Sequence, residues 1–227
     1  RTPRDPVALT TWLRDKLGRR VGPLGVAFPG AVGADGRVLA WPNQPSWAGF
    51  RLREALLEVA AAVQLSDDGV AAATGEVMAG VGRGRPDLLV AVFGSELGGA
   101  IVLDSTVRPV PDGEPRTLGH IRILASGQCS CGGVGCAQLA LRTLPTDDRL
   151  GVGLACWPDG IRLAGFLIDL ARFLALPSVV LTGGLLCRPG LREQLTILLS
   201  RDGIEVLVPA DPATSSIPGA CLRGVPT

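Results

Sequence analysis

Residues His120 to Cys136 read HIRILASGQCSCGGVGC and hold the chain's single histidine and three of its six cysteines. Eight residues separate His120 from Cys129, one separates Cys129 from Cys131, and four separate Cys131 from Cys136. The intervening glycines let the backbone turn tightly enough for the sulfur atoms to converge. One imidazole and three thiolates form the closed tetrahedral shell of a structural zinc site, so the stretch predicts zinc at these four residues.

A second interpretation of this stretch is three reduced loop cysteines beside an unrelated surface histidine. The spacing is not that of a common zinc finger, which leaves this alternative open. Three cysteines cannot all pair with one another, so the stretch does not indicate a disulfide framework. Cys156, Cys187 and Cys221 lack ligand spacing and are predicted to be buried thiols.

The composition is that of a folded protein with a sizeable core. The chain has 227 residues, of which 47% are hydrophobic and 19% charged. This length allows one large domain or two small lobes. The formal net charge is +1 and no dense Lys/Arg run occurs, so the chain has no nucleic-acid footprint of its own.

The sequence predicts a cytoplasmic protein without a membrane segment. No charged-then-apolar leader follows Arg1. The most apolar region, Leu163 to Leu186, is interrupted by charges, a proline and two glycines, so it cannot span a bilayer. Cysteines clustered as metal ligands suit a reducing compartment.

Hydrophobic periodicity predicts strands that alternate with helices, which is typical of an α/β protein. In the first half we expect a helix from Asp5-Pro6 to Gly18, a strand at Leu24 to Phe28, a hairpin at Ala34 to Arg37 returning along Val38 to Trp41, a helix at Leu52 to Val63, a strand at Val63 to Leu65 and a helix to Met78. In the second half we expect strands at Leu88 to Phe93 and Ala100 to Leu103, helices from Ala137 to Arg142 and Asp159 to Leu174, a strand at Ser178 to Thr182, a helix at Leu191 to Leu199, a strand at Ile204 to Val208 and a helix at Pro218 to Leu222.

Six stretches, in order, resemble motifs of the ROK family of bacterial sugar kinases and sugar-responsive repressors. They are Gly25 to Gly30, Trp41 to Trp47, Ser66-Asp67, Gly94 to Ile101, Gly119-His120 with the cysteine loop, and Val179 to Gly184. The resemblance implies an actin-like ATPase (ribonuclease H-like) fold with two lobes around a cleft, and usually a dimer or a dimer of dimers. We place the lobes at residues 1–85 and 86–227, the first of them incomplete.

The resemblance also implies site residues. The sugar-binding positions would be Gly30, Asn43, Ser66, Asp67, His120 and Gln138, and the nucleotide positions Gly94, Ser95, Gly183 and Gly184. In a family kinase Asp67 would be the base that takes the proton from the attacking hydroxyl. Its alternative role is the N-cap of the helix that follows. Gly183-Gly184 could equally be a plain strand-to-helix turn, and Trp47 is predicted to lie in the core.

The sequence departs from the kinase pattern at several positions. No Asp-x-Gly-Gly-Thr phosphate loop occurs, because the chain starts after its expected place, and no helix-turn-helix is found. Thr117 and Gln138 stand where the family kinases have Glu, and Gly94-Ser95-Glu96 replaces Gly-Thr-Gly. A carboxylate at Glu96 would repel the phosphates of ATP. Glu in this hairpin resembles the repressor branch.

These observations favour a non-enzymatic interpretation. The chain would be the effector-binding and dimerisation portion of a ROK-type transcriptional regulator, with structural zinc, a sugar or sugar-phosphate effector, and DNA contacted only through a segment outside this chain. The alternative is an ATP-dependent hexose or N-acetylhexosamine kinase that uses ATP and Mg²⁺. Asp67 favours this alternative.

Overall fold

The computed structural model describes residues 3–41, 43–108, 118–146, 156–214 and 219–220. Within them the helices are α1 (Leu9–Leu17), α2 (Leu52–Leu57), α3 (Asp68–Ala79), α4 (Pro158–Phe173) and α5 (Leu191–Arg201). The strands are β1 (Val21–Phe28), β2 (Ala31–Val32), β3 (Val38–Ala40), β4 (Ala60–Asp67), β5 (Leu88–Phe93), β6 (Leu97–Leu103), β7 (Thr106–Arg108), β8 (Ser178–Thr182) and β9 (Glu205–Leu207). Thr117, Cys221 and most of the helix predicted at Pro218 to Leu222 lie outside the described residues.

The amino-terminal part is organised around a parallel pair of strands. β1 and β4 lie side by side, with Phe28 opposite Asp67 at their carboxyl ends. The helix predicted from Asp5-Pro6 starts as a 3-10 turn at Pro6–Ala8, capped by Asp5, and α1 follows it from Leu9. α1 ends as predicted at Gly18, which has a φ of 66°. As predicted, Trp47 is in the core: it is 1% exposed, and it packs against Phe28 and Trp41 with ring centroids 6.1 and 5.1 Å away.

The helix predicted from Leu52 to Val63 is wrong in its second half. α2 ends at Leu57, and β4 already begins at Ala60. Val63 and Leu65 pack into the core beneath β1, where only an extended chain can pair with that strand. The Arg20 side chain donates to the carbonyls of Leu57 and Ala60, which helps to end the helix. Long-range pairing therefore overrides local helical periodicity here.

The carboxyl-terminal part contains a five-stranded sheet in the order β7-β6-β5-β8-β9. β5 lies in the middle, antiparallel to β6 and parallel to β8. α3 packs on one face through Val70 and Ala73, and α4 and α5 cover the other. α3 therefore packs on this sheet although it precedes residue 85. The division at residues 85 and 86 stays a prediction.

Most elements of the second half lie where the sequence predicts them, with three differences, of which the first is that β7 (Thr106–Arg108) is not among the predicted strands. β6 begins at Leu97 rather than Ala100, so the hairpin turn is shorter than expected. The segment Ala137–Thr143 is a 3-10 helix, not an α-helix. Cys187 is exposed and Cys156 partly buried, so the prediction of buried thiols is wrong for Cys187. No helix in the described ranges is long and apolar enough to cross a bilayer.

Candidate metal centre and ligand cleft

The four predicted metal ligands converge. The donor atoms of His120, Cys129, Cys131 and Cys136 all lie within 4.8 Å of one another. His120 Nδ1 is 3.6 Å from Cys129 Sγ, and Cys131 Sγ is 3.7 Å from Cys136 Sγ. Zn–S bonds of about 2.3 Å and Zn–N bonds of about 2.0 Å in a tetrahedron place neighbouring donors roughly 3.5–3.8 Å apart. The cluster therefore fits a zinc ion in both donor type and spacing.

Backbone hydrogen bonds within the loop hold the sulfur atoms in place. The Cys129 N–H donates to the Gly133 carbonyl at 2.8 Å, and the Gly132 N–H donates to the Cys129 carbonyl at 3.0 Å. The Gly133 N–H donates to Cys131 Sγ at 3.4 Å. Cys129 and Cys136 are buried while Cys131 is exposed, so the loop presents the centre to solvent on one side only.

The pKa values of two of the clustered thiols are shifted in opposite directions. Burial, together with the neighbouring sulfur atoms, raises the pKa of Cys136 to about 12. Burial alone would raise the pKa of Cys129, but hydrogen bonds from Cys131, Cys136 and Gln138 outweigh burial and lower this pKa. Three closely spaced thiolates repel one another, and a divalent cation removes that repulsion.

Two groups next to the cluster are left without partners on their far sides. Since His120 Nδ1 faces Cys129, its other ring nitrogen, Nε2, points away and bonds to none of the described residues. The Gln138 amide nitrogen donates to Cys129 Sγ at 3.1 Å, while Gln138 Oε1 is buried without a partner in the described structure. Burial lowers the pKa of His120, which favours the neutral imidazole that a metal requires.

The start of β6 contacts both α3 and the Gly119-His120 turn beside the metal cluster. A Cβ built on Gly99 would lie 3.1 Å from Leu118, and one built on Gly69 would lie 2.6 Å from the Gly99 nitrogen. A Cβ on Gly119 would lie 2.3 Å from the Leu97 carbonyl oxygen. These close backbone approaches need glycine. They bring the Asp67-Asp68 end of α3 and the Gly119-His120 turn to opposite sides of the same strand.

Carboxylates gather at this junction. Asp67 caps α3: its Oδ1 accepts hydrogen bonds from the Gly69 and Val70 N–H groups at 2.9 and 3.1 Å. Burial raises the pKa of Asp67 although these bonds oppose it. Burial, followed by the charges of Asp67 and Glu96, raises the pKa of Asp68 to about 7. The predicted N-cap role of Asp67 is thus confirmed, and its other carboxylate oxygen bonds to no described residue.

Glu96 links the cleft to the loop after β3. Burial raises the pKa of Glu96, while the Arg142 charge and a side-chain hydrogen bond from Asn43 lower it. Asn43 lies on the amino-terminal part and Glu96 on the turn between β5 and β6, so this contact crosses between the two parts. Sequence reasoning did not identify Arg142 or the acidic environment of Asp68. No local pattern signals the contact of Arg142 with Glu96, because the two residues lie 46 positions apart in the sequence.

The remaining predicted site residues fall into two groups. Gly30 follows the end of β1, and Ser66 lies in β4 with a buried Oγ that has no partner in the described residues. Gly94 and Ser95 follow β5, and Gly183 follows β8, which pairs with β5. A Cβ on Gly183 would lie 2.4 Å from the Phe93 carbonyl oxygen, so the two strand ends touch. The structure brings each group together at carboxyl ends of strands, the usual place for ligands in α/β folds.

The ROK family profile matches residues 8–141, more than half of the chain. This protein belongs to the ROK family. The chain is 40% identical over 140 residues to the kanosamine kinase of Amycolatopsis mediterranei, an alignment that covers 60% of this chain and 45% of the kinase. The other curated relatives found are glucokinases, and the alignments span 43–62% of the relatives' own lengths.

Solved ROK structures have the same fold. A ROK family glucokinase from Streptomyces griseus, crystallised with glucose and AMPPNP, superposes with a TM-score of 0.71 at 22% identity, covering 96% of this chain and 88% of the glucokinase. A ROK transcriptional regulator homologous to the E. coli MLC protein superposes with a TM-score of 0.68 at 16% identity, covering 96% and 67%. The predicted actin-like ATPase fold is confirmed. Kinase and regulator share it, so the fold alone does not distinguish the two functions.

Proposed function

We propose that this chain is the sugar-binding part of an ATP-dependent ROK sugar kinase, with structural zinc in the wall of the sugar site. The observation that carries the proposal is the placement of Asp67. One of its carboxylate oxygens is held by the first N–H groups of α3, and the other has no partner among the described residues. Identity to curated sugar kinases supports the kinase over the regulator that the sequence alone favoured.

In this proposal the residues of the cleft have different roles. Asp67 takes the proton from the attacking sugar hydroxyl, and its raised pKa makes it a stronger base than an exposed carboxylate. Asn43, Ser66, His120 Nε2, Gln138 and the backbone at Gly30 bind the other hydroxyls. Gly94, Ser95, Gly183 and Gly184 would contact the phosphates of the nucleotide. ATP with Mg²⁺ would supply the phosphoryl group.

The zinc assignment rests on the donor set. His120, Cys129, Cys131 and Cys136 would hold the ion in a closed shell, which cross-links the loop and leaves no position for substrate. Its role is therefore to fix the orientation of His120. The homo-oligomeric state expected from the family resemblance remains a prediction.

The regulator remains a second candidate because of Glu96. Its carboxylate lies beside Asp68 in the turn where the kinase pattern has Gly-Thr-Gly. Arg142 offsets part of this negative charge but does not replace a phosphate-binding backbone. A protein of this second kind would bind sugar without turning over ATP.

The test uses the full-length protein, with any residues that precede Arg1, together with ATP and Mg²⁺ and a panel of glucose, mannose, N-acetylglucosamine and kanosamine. We expect sugar-dependent ADP formation, and sugar binding by calorimetry without nucleotide. Asp67→Asn should lower kcat about 10²–10⁴-fold, because the amide cannot take a proton. It should keep its fold, because Asn remains an N-cap acceptor for Gly69 and Val70.

Asp5→Asn is the matched control, since Asp5 caps the 3-10 turn before α1 through the same kind of bond to Val7 N–H, at 3.0 Å. It should leave kcat unchanged. Sugar binding without any ADP formation would favour the regulator, and turnover that survives Asp67→Asn would rule out this base.

A further inference from the structure

Cys131 differs from the other two cysteines of the metal cluster in its access to solvent. Cys129 is 3% exposed and Cys136 is 1% exposed, whereas Cys131 is classed with the exposed residues. The Gln138 amide covers Cys129 Sγ at 3.1 Å, while the Gly133 N–H contacts Cys131 Sγ at 3.4 Å. A small reagent that arrives from solvent therefore reaches Cys131 before it reaches either of the other two cysteines.

Membership of the metal cluster keeps this accessible cysteine in its reactive form. Cysteines bind zinc as thiolates, and the thiolate rather than the thiol is the nucleophile. Susceptibility of a cysteine to oxidation follows its thiolate character together with its exposure. Cys131 combines the two properties, since it is exposed and its sulfur is one of the four converging donors. Cys187 is exposed as well, but it lies outside the cluster.

A second sulfur lies next to Cys131. Cys136 Sγ is 3.7 Å from Cys131 Sγ. A disulfide has an S–S distance of about 2.0 Å, so the two sulfur atoms would have to approach each other by roughly 1.7 Å. Three of the four residues between the two cysteines are glycines, namely Gly132, Gly133 and Gly135. Because glycine restricts the backbone least, this short loop can change its conformation enough to let the sulfur atoms meet.

We propose that Cys131 is an oxidation site through which a small peroxide opens the metal loop. The Cys131 thiolate attacks one oxygen of hydrogen peroxide, the O–O bond breaks, and hydroxide leaves, so that Cys131 becomes a sulfenic acid. The Cys136 thiolate then attacks the Cys131 sulfur and displaces a second hydroxide, which forms a disulfide between the two residues. The two thiolates together lose two electrons, and the peroxide gains them.

The oxidised loop cannot keep the zinc ion. Cys131 and Cys136 supply two of the four donors, and the disulfide leaves His120 and Cys129 alone, which do not form a closed shell. A thiol reductant reverses the disulfide by exchange, after which the four donors can bind zinc again. Since zinc fixes the orientation of His120, oxidation should also weaken sugar binding. That last consequence rests on the proposed function, whereas the oxidation step does not.

The experiment exposes the zinc-loaded full-length protein to an excess of hydrogen peroxide, with Cys187→Ser as the matched control. That variant lacks an exposed cysteine that lies outside the cluster. A chromophoric chelator follows zinc release, and mass spectrometry of peptides, after the remaining thiols have been alkylated, identifies the bond. We expect both proteins to lose one zinc per chain at about the same rate as the Cys131–Cys136 disulfide forms. Dithiothreitol with added zinc should restore the zinc content.

A second measurement tests the accessibility of Cys131 directly. In the zinc-loaded protein, N-ethylmaleimide should label Cys131 on the order of tenfold faster than Cys129 or Cys136. Equal labelling of the three cysteines would overturn the proposal, and so would zinc that is retained while peroxide oxidises Cys187, or a disulfide that contains Cys129. Calorimetry with glucose, mannose and kanosamine compares sugar binding by the reduced and the oxidised protein. If the reduced protein binds none of the three sugars, the proposed function fails, and the zinc and mass measurements still decide the oxidation site.

Discussion

At the scale of single residues, two adjacent aspartates have different electrostatic environments. One carboxylate oxygen of Asp67 accepts hydrogen bonds from N–H groups in the first turn of α3, and these bonds stabilise the negative charge. Asp68 is buried about as deeply, and burial, followed by the charges of Asp67 and Glu96, raises its pKa to about 7. Asp68 therefore holds a proton in the folded chain at a pH where the unfolded chain has lost it.

This linkage predicts that the ionisable Asp68 destabilises the fold as the pH rises. Between the ordinary pKa of 3.8 and the folded pKa of about 7, the folded chain binds a proton that the unfolded chain does not. The stability that Asp68 contributes is therefore fully present below pH 3.8 and is lost as the pH rises towards 7. Asp68→Asn should be more stable than the parent at pH 8 by on the order of 2 kcal/mol and should differ little at pH 4. Urea unfolding at both values measures this, with the exposed Asp169→Asn as the control.

Gly183 and Gly184 form a matched pair for a second test. Gly183 has φ of 105°, and a Cβ there would meet the Phe93 carbonyl oxygen at 2.4 Å, whereas a Cβ on Gly184 would meet nothing within 4 Å. Gly183→Ala should lower the free energy of unfolding by about 2 kcal/mol or more, and Gly184→Ala should change it little. Equal effects of the two substitutions would show that β5 and β8 do not meet there.

At the scale of elements, the metal loop depends on its ion because it has a small core of its own. Cys129, Cys136 and Leu139 form a separate buried cluster with Leu124, and two of these four residues are proposed zinc ligands. Without the ion, burial and mutual repulsion oppose the thiolates, and the loop loses its cross-links.

Cys136→Ser should therefore abolish stoichiometric zinc and lower the Tm. Cys136 is 1% exposed, and Ser cannot supply the soft ligand. Cys187→Ser, at an exposed cysteine outside the cluster, should keep one zinc per chain and the parent Tm. Elemental analysis and thermal unfolding provide the two measurements. A Cys136→Ser protein with full zinc content would contradict the assignment.

The sequence predicts elements well where local signals agree with tertiary context. The Asp5-Pro6 start and Gly18 end of α1 follow from cap chemistry, and β8 follows from an unbroken apolar run. The second half of the predicted Leu52 to Val63 helix fails because β1, about forty residues earlier, pairs with β4 there. Helical periodicity in a short apolar segment does not reveal a distant strand partner.

At the scale of the whole molecule, one ion-pair network connects the segment after α3 to the far edge of the large sheet. Arg85 contacts Glu205 through two nitrogens, and Ser178 Oγ donates to Glu205 at 2.7 Å. The hydrogen bonds from Arg85 and Ser178 lower the pKa of Glu205 to about 2. These contacts join residues 120 positions apart, from the α3–β5 connection to β9.

This network predicts a specific acid sensitivity. Because the folded pKa of Glu205 lies below its ordinary value of 4.5, its contribution to stability is full above pH 4.5 and is lost as the pH falls towards 2. Glu205→Gln should reduce the loss of stability that occurs as the pH falls through this range. Because the ion pair is exposed, added salt should reduce the difference in stability between the parent and this variant. Glu54→Gln, whose Arg51 partner is only three residues away, is the control. The free energies of unfolding of the parent and the two variants, measured at pH 2.5 and 5, test this prediction.

At the candidate site, too, some features follow from one local stretch of sequence and others from contacts between distant residues. The four metal donors lie within one stretch, so their types and spacing predict the cluster, and the structure confirms that they converge. The surroundings of Glu96 require Asn43 from one part of the chain and Arg142 from another. No local pattern contains that meeting, because the packing of α3 and the Gly119-His120 turn against β6 produces it.

A final consequence follows from the contiguity of the donors. Since all four fall within seventeen consecutive residues, no other part of the polypeptide has to supply a metal ligand. During synthesis, this stretch leaves the ribosome before α4, β8 and α5 have been translated, and nascent domains begin to fold as they emerge. We therefore expect the zinc supply during translation to affect how much folded protein accumulates.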